Sequence, residues 1–228
     1  MSKFSIIIPT FNEACNLPLL FSDLSIIREE KEIIVVDACS TDKTVDIANL
    51  YGVKLYSSKE RNRGFQLDIG AKNANGEWLI FIHADSRLNK NSLQPLKSIS
   101  ENGNSLIYFF KFKIKNKKII YRLLEVLVNI RSSFLKSPYG DQGLIINRKT
   151  YFLNKGFKNL PIMEDVDFIR RLRKKRNLKM LRVPIYTSSR KWENTNIALQ
   201  AFKNWKLRRR WLNGESLKSI YIDYYKNN

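Results

Sequence analysis

The 228-residue sequence has two cysteines, Cys15 and Cys39, and a single histidine, His83. Two cysteines give no disulfide framework, and a reducing compartment is the default. A lone histidine excludes a metal centre built on several imidazoles. No stretch reaches 18 uncharged apolar residues, so none reads as a membrane-spanning helix. No secretory pattern opens the chain either, because the apolar run after Lys3 is closed by Pro9. Internal repeats and low-complexity segments are also missing. A cytoplasmic folded domain is the expectation, and 43% hydrophobic and 12% aromatic content supports a real core.

Acidic residues are scarce in one part only. Residues 1–100 hold 12 Lys+Arg and 12 Asp+Glu, so the other 29 basic and 9 acidic side chains place the whole +20 in residues 101–228. This asymmetry points to an anionic partner: a membrane surface, a nucleic acid or a phosphorylated substrate. A basic solvated surface fits equally well.

What is present begins with Trp78–Ile82, a short buried run that stops at His83-Ala84-Asp85. The run suits a central strand. Residues two apart project together, so His83 and Asp85 leave the strand's carboxyl end on one side. In open α/β sheets ligands bind at that end. Asp85 is a hard oxygen ligand for Mg²⁺ or Mn²⁺ beside phosphate oxygens. Alone, the triplet also fits a strand ending in a polar turn.

Strands are expected at 3–8, 32–36, 53–56 and 78–82. Helices are expected over 16–27, after Ser40 or Thr41 as cap, and over 65–75. This alternation gives a parallel sheet with crossover helices on both faces, and it gathers Asp37, Arg63 and Asp85 on one edge. Beyond it come a helix over 92–101 and a strand over 106–113, which alternates in part and fits an antiparallel neighbour. A mostly apolar helix follows over 119–135, with Arg122, Glu125 and Asn129 as a narrow polar stripe. That helix is either deeply packed or laid at a membrane interface. After the turn-rich 138–143 and a strand over 144–147, Glu164 and Asp165 fall in the first turn of another helix, where capping alone would also explain them. A strand over 178–183 follows. Residues 197–212 combine Phe202, Trp205 and Trp211 with Lys203, Lys206 and Arg208–Arg210, a basic amphipathic helix suited to a membrane surface.

The ordered series Ile8-Pro-Thr-Phe-Asn-Glu13, Val36-Asp-Ala-Cys-Ser-Thr-Asp42, Arg63-Gly-Phe-Gln-Leu-Asp68, Phe81-Ile-His-Ala-Asp85 and Met163-Glu-Asp165 resembles the family 2 glycosyltransferases of the GT-A fold. Within that family, 138–143 and Arg190-Lys-Trp-Glu193 resemble a subgroup of small members connected with arsenosugar biosynthesis. The resemblance implies a catalytic domain over 1–195, with a nucleotide-binding half (1–100) and an acceptor half (101–195), followed by a helical tail over 196–228. It implies inverting transfer of one sugar from a nucleotide-diphosphate donor, a UDP-sugar first, to a small or lipid-linked acceptor. By that likeness Pro9, Thr10 and Glu13 line the nucleoside pocket, and Asp37 faces the base. Arg63 and Gln66 reach the base or the diphosphate. His83, Ala84 and Asp85 hold the donor, with Asp85 and His83 as ligands of a divalent metal. Many members carry Asp-x-Asp where this chain has His83-Ala84-Asp85, which removes one negative charge. Asp165 becomes the general base, with Glu164 beside it to adjust its basicity. Gly140, Asp141, Arg190 and Trp192 are expected at the acceptor, and contact with the inner face of a membrane fits the basic tail. A sugar-phosphate nucleotidyltransferase is disfavoured because 9–15 has no glycine to grip a triphosphate. A non-catalytic basic module binding RNA or lipid explains 203–210 but not the acids at the strand ends, so nucleic acid is disfavoured.

Overall fold

The structure, a computed structural model, describes residues 3–101, 107–173, 178–188 and 197–226. The first half is built from β1 (Phe4–Thr10), α1 (Leu17–Ser25), β2 (Lys31–Asp37), α2 (Thr44–Leu50), β3 (Lys54–Ser57), α3 (Arg63–Lys72) and β4 (Trp78–Phe81). Short helices α4 (Lys90–Leu93) and α5 (Pro95–Glu101) lead to β5 (Ile107–Ile114) and the long α6 (Ile119–Phe134). A 3-10 turn at Gly140–Gln142, β6 (Leu144–Asn147), α7 (Arg148–Leu153), α8 (Glu164–Arg173), β7 (Leu178–Thr187), α9 (Ile197–Leu212) and α10 (Leu217–Lys226) complete the described elements.

Seven strands form one mixed sheet in the order β3-β2-β1-β4-β6-β5-β7. β1, β2, β3 and β4 run parallel, β6 runs antiparallel to both β4 and β5, and β5 pairs with β7 in parallel. Successive β1 residues bury on opposite faces. Ile6 and Ile8 meet Leu17, Leu20 and Leu24 of α1, whereas Ile7 meets Leu67 of α3 in the cluster that also holds Phe168 of α8. Each such side chain contributes about 1.5–3 kcal/mol by leaving water. The chain moves outward from β1 to β3 and then crosses back to β4. The β1/β4 boundary is therefore a topological switch point, where a crevice opens beyond the carboxyl ends.

Two expectations need correcting here. Neither Ser40 nor Thr41 caps α2; Lys43 occupies that position, and the Asp42 carboxylate accepts the Thr44 amide at 2.9 Å. Of the two readings of helix α6, the deeply packed one fails, because the helix turns its polar stripe and not its apolar face to the core. Glu125 and Asn129 face inward, while Ile119, Leu123, Leu127 and Phe134 are exposed. The reason is the edge of β5, which β6 pairs only at Ile107 and Tyr108. Beyond that point Asn129 Oδ1 accepts the Phe112 amide (2.8 Å) and its Nδ2 donates to the Phe112 carbonyl (3.0 Å). Glu125 Oε1 accepts the Ile114 amide at 2.7 Å, and Arg122 donates to the Ile114 carbonyl at 2.9 Å. Satisfying four buried backbone groups outweighs hiding an apolar stripe. None of the helices among the described residues is long and apolar enough to cross a membrane.

Candidate active site

The first wall of the site comes from the ends of β1 and β4. Pro9 and Thr10 at the end of β1, Glu13 after it, and His83, Ala84 and Asp85 after β4 line one cavity of about 610 Å³. Arg63 and Gln66 of α3 close its inner side. Gln66 is buried, and its Nε2 donates to the Thr10 and Val36 carbonyls at 2.9 and 2.8 Å, tying the two strand ends together. Thr10 pairs in register with Asp37 and donates to its Oδ1 at 2.8 Å. The Ser40 amide and hydroxyl donate to the same carboxylate at 2.8 and 2.5 Å. Asp37 is therefore buried and braced by Thr10 and Ser40, and it does not line this cavity.

Arg63 starts α3, two residues before the expected helix start, and Asn62 caps the helix by accepting the Phe65 amide at 3.1 Å. Gly64 allows α8 to come close. A Cβ there would lie 2.8 Å from Glu164 Cβ and 2.8 Å from the Lys158 carbonyl. The two helix starts meet, and the Arg63 guanidinium donates to the Glu164 carboxylate. Glu164 is buried, which pushes its pKa up, and the Arg63 charge opposes that push. Arg63 itself is held fully charged by Glu164 and Asp165 against its own desolvation. Glu164 thus orients Arg63, and its charge also acts on the neighbouring Asp165.

Asp165 faces the other way. Its Oδ2 accepts the Gly140 amide at 2.8 Å and its Oδ1 the Val166 amide at 2.7 Å. With Gly140, Asp141, Tyr139 and Arg208 it lines a second cavity of about 160 Å³. The two cavities share Arg63, His83, Ile162, Asn204 and Tyr224. Asp85 and Asp165, distant in sequence, therefore face adjoining spaces with His83 between them. Gly140 is required for that approach, because a Cβ there would sit 3.1 Å from His83 Nε2 and 3.5 Å from Asp165 Oδ2. Met163, just before the two acids, has a φ of +66°, a left-handed conformation that a bulky residue rarely adopts.

Two of the expected acceptor residues, Arg190 and Trp192, lie outside the described residues. The pattern of residues also left several wall positions unnoticed. Arg61 stacks over the Phe11 ring at 4.1 Å, and both line the donor-side cavity. Gln200 and Asn204 of α9 and Tyr224 and Tyr225 of α10 line it too. The tail is thus joined to the domain and is not an appendage: Leu207 and Ile220 bury against Met163 and Val166. Of the three arginines expected to meet a membrane, Arg208 donates to Ser137 Oγ (2.7 Å) and to the Tyr139 hydroxyl (3.2 Å). Arg210 binds Glu215 and Asp223. Only Arg209 is left on the exposed side, stacked on Trp205.

The sequence profile described as "Glycosyl transferase family 2" matches residues 5–213. The chain belongs to glycosyltransferase family 2. Among curated relatives, the poly(ribitol-phosphate) beta-N-acetylglucosaminyltransferase TarS of Staphylococcus aureus is 33% identical over 122 residues, 50% of this chain and 21% of TarS. A dolichyl N-acetyl-alpha-D-glucosaminyl phosphate 3-beta-D-2,3-diacetamido-2,3-dideoxy-beta-D-glucuronosyltransferase of Methanococcus voltae is 29% identical over 189 residues, covering 74% of this chain and 58% of that protein. The family 2 chain thus spans about a fifth to three-fifths of the length of these relatives. Residues 1–349 of S. aureus TarS with UDP-GlcNAc superimpose with a TM-score of 0.66 at 23% identity, over 89% of this chain and 64% of that one. The mannosyltransferase PcManGT of Pyrobaculum calidifontis with GDP-Man and Mn²⁺ gives 0.64 at 15% identity, over 91% and 60%. At these identities the match establishes the fold, the GT-A arrangement of a mostly parallel sheet with helices on both faces.

The donor set can be tested against a divalent cation. Among the described residues no group of three or more His, Cys, Asp or Glu gathers. One carboxylate and one imidazole, Asp85 and His83, face the larger cavity together. Such a pair fits Mg²⁺ or Mn²⁺ whose remaining ligands are phosphate oxygens and water.

Proposed function

We propose that this family 2 chain moves one sugar from a nucleotide-diphosphate donor, a UDP-sugar first, to the hydroxyl of a small or lipid-linked acceptor with inversion. The observation that carries the reading is the pair of adjoining cavities, Asp85 on the larger, Asp165 on the smaller and His83 on both.

The nucleotide lies along Pro9, Thr10 and Glu13, and its diphosphate is met by Arg63 and Arg61, two cations on one wall. A divalent cation held by Asp85 and His83 would neutralise charge developing on the leaving diphosphate. Asp165 accepts the proton of the acceptor hydroxyl as the new oxygen–carbon bond forms. The bond from the anomeric carbon to the diphosphate oxygen breaks, and its electron pair leaves with the nucleotide. Attack from the face opposite the leaving group inverts the carbon, a reading supported by the placement of Asp165 and Asp85 on different cavities. The Gly140 amide fixes the Asp165 carboxylate for this task. The names of the M. voltae and S. aureus relatives, with dolichyl-phosphate and ribitol-phosphate acceptors, support an acceptor that carries phosphate. Arg208 on the smaller cavity suits such a group.

The test is a panel of UDP- and GDP-sugars with Mn²⁺, Mg²⁺ or chelator, scoring nucleotide release and product. Release from a UDP-sugar that chelator suppresses, with an inverted anomeric centre in the product, is expected. No release from any donor, or a product with retained configuration, contradicts the proposal.

A further inference from the structure

The inverted packing of α6 leaves a large apolar face without a partner among the described residues. Ile119, Leu123, Val126, Leu127, Ile130 and Phe134 recur at helical spacing, and Ile119 and Phe134 are 86% and 80% exposed. All of these side chains point away from the buried Tyr121, Leu124, Glu125, Asn129 and Ser132. A contiguous apolar face of this kind on a folded protein marks an interaction surface.

Charge selects the occupant. The one acid of α6, Glu125, is buried and paired with Arg122, so the exposed face carries no negative charge. Exposed Lys115, Lys117 and Lys118 stand at its N-terminal end. The neighbouring α9, whose Ala201 packs on the inner side of α6, exposes Phe202 and Trp205 together with Lys206 and Arg209. A second copy of a chain carrying +20 would bring like charge against like. An anionic bilayer offers both an apolar interior and a negative surface.

We propose that α6 lies in the surface of an anionic lipid membrane, with its apolar face among the acyl chains and the lysines before it at the headgroups. The same helix anchors the acceptor side. Ser132 Oγ donates to Gln142 Oε1 at 2.6 Å, and the Arg131 guanidinium sits 3.5 Å from the Tyr139 ring centroid. Tyr139 and Gly140 line the Asp165 cavity. The C-terminal end of the membrane-lying helix is therefore tied to the loop that borders the acceptor cavity, and a lipid-borne acceptor would arrive there with its tail still in the bilayer. This deepens the proposed function, since it names the phase that supplies the acceptor. The membrane contact itself needs neither donor nor transfer.

The experiment is co-sedimentation of the full chain with phosphatidylcholine vesicles containing roughly a third phosphatidylserine, a composition that gives the anionic surface required. Binding that pure phosphatidylcholine weakens is expected. The double variant Leu127→Glu with Ile130→Glu, both exposed, should lower binding by roughly tenfold or more while the melting temperature holds. A single Phe134→Trp reporter should be quenched by lipids brominated in the acyl chains. Unchanged binding in the double variant, no quenching of the reporter, or no vesicle binding by the wild type overturns the proposal. So does a self-association that the double variant dissolves, because the face would then belong to a second copy. Vesicle binding without any sugar transfer would leave the membrane face standing and remove the proposed function instead.

Discussion

Residues 3–101 supply Pro9, Thr10, His83 and Asp85 from the carboxyl ends of two adjacent parallel strands. Residues 107–226 supply Gly140 from a 3-10 turn, Asp165 from a helix start, and Asn204 and Tyr224 from two helices near the end of the chain. In the first region backbone topology alone brings the site residues together, because parallel strands end on one edge. In the second, each residue arrives through a separate long-range contact: Gly140 to Asp165, Glu164 to Arg63, Leu207 to Met163. The charge divides in the same way, balanced in the first region and strongly positive in the second. The difference teaches that the donor side is a property of the sheet, whereas the acceptor side depends on a few packing contacts.

That contrast can be broken at either end. The largest effect on donor binding is expected from Asp85→Asn, which should weaken Mn²⁺-supported donor binding by roughly 10–100-fold, read by titration calorimetry. Donor affinity independent of both metal and Asp85 would place the cation elsewhere. Gly140→Ala should come next. A Cβ 3.1 Å from His83 Nε2 forces a shift of a few tenths of an ångström, and transfer should fall by about tenfold with donor affinity retained. Equal loss of donor affinity would erase the division between the two sides. In the sheet-built region, a Cβ on Gly70 would lie 2.4 Å from Ile7 Cγ2. Gly70→Ala should therefore cost about 1–2 kcal/mol net of its better helix propensity, measured by urea unfolding. A neutral result would mean that α3 rides less tightly on β1 than the contact indicates.

The smallest effect sharpens the packing-built side. Hydrogen bonds from Arg210 and Ser219 hold Glu215 down at about 2. A depressed carboxylate stabilises fully above its unfolded value, near 4.3, and loses that contribution as pH falls toward 2. The melting temperature should therefore decline slightly between pH 5 and about 3, and Arg210→Gln should flatten that slope. An identical slope in the variant would show that the clamp between α9 and α10 contributes nothing.

The first region was legible from its residues because each strand is a short apolar run ending in a polar cluster. Even there the bracing role of Asp37 was not legible, since a carboxylate at a strand end reads alike whether it faces a ligand or braces a turn through Thr10 and Ser40. The second region was legible only where a motif marked it, at Glu164-Asp165. Helix α6 showed its polar stripe clearly, but the unpaired edge of β5 that the stripe serves is created by the shortness of the β5–β6 pairing, a tertiary fact. For the same reason the tail's inner contacts were not legible: Leu207 and Ile220 bury against α8 and Arg208 reaches Tyr139, while Phe202, Trp205 and Arg209 stay exposed. Nothing local in 197–226 marks Asn204 or Tyr224 as cavity walls.

The most direct test of the shared cleft is Asp165→Asn, with donor affinity and product formation measured on the same preparation. Transfer is expected to fall by about 10²–10⁴-fold while donor binding stays within about threefold, since the amide keeps the shape of the carboxylate and removes its basicity. Full transfer in that variant, or donor binding lost along with transfer, would contradict an acceptor-side base set apart from the Asp85 donor site.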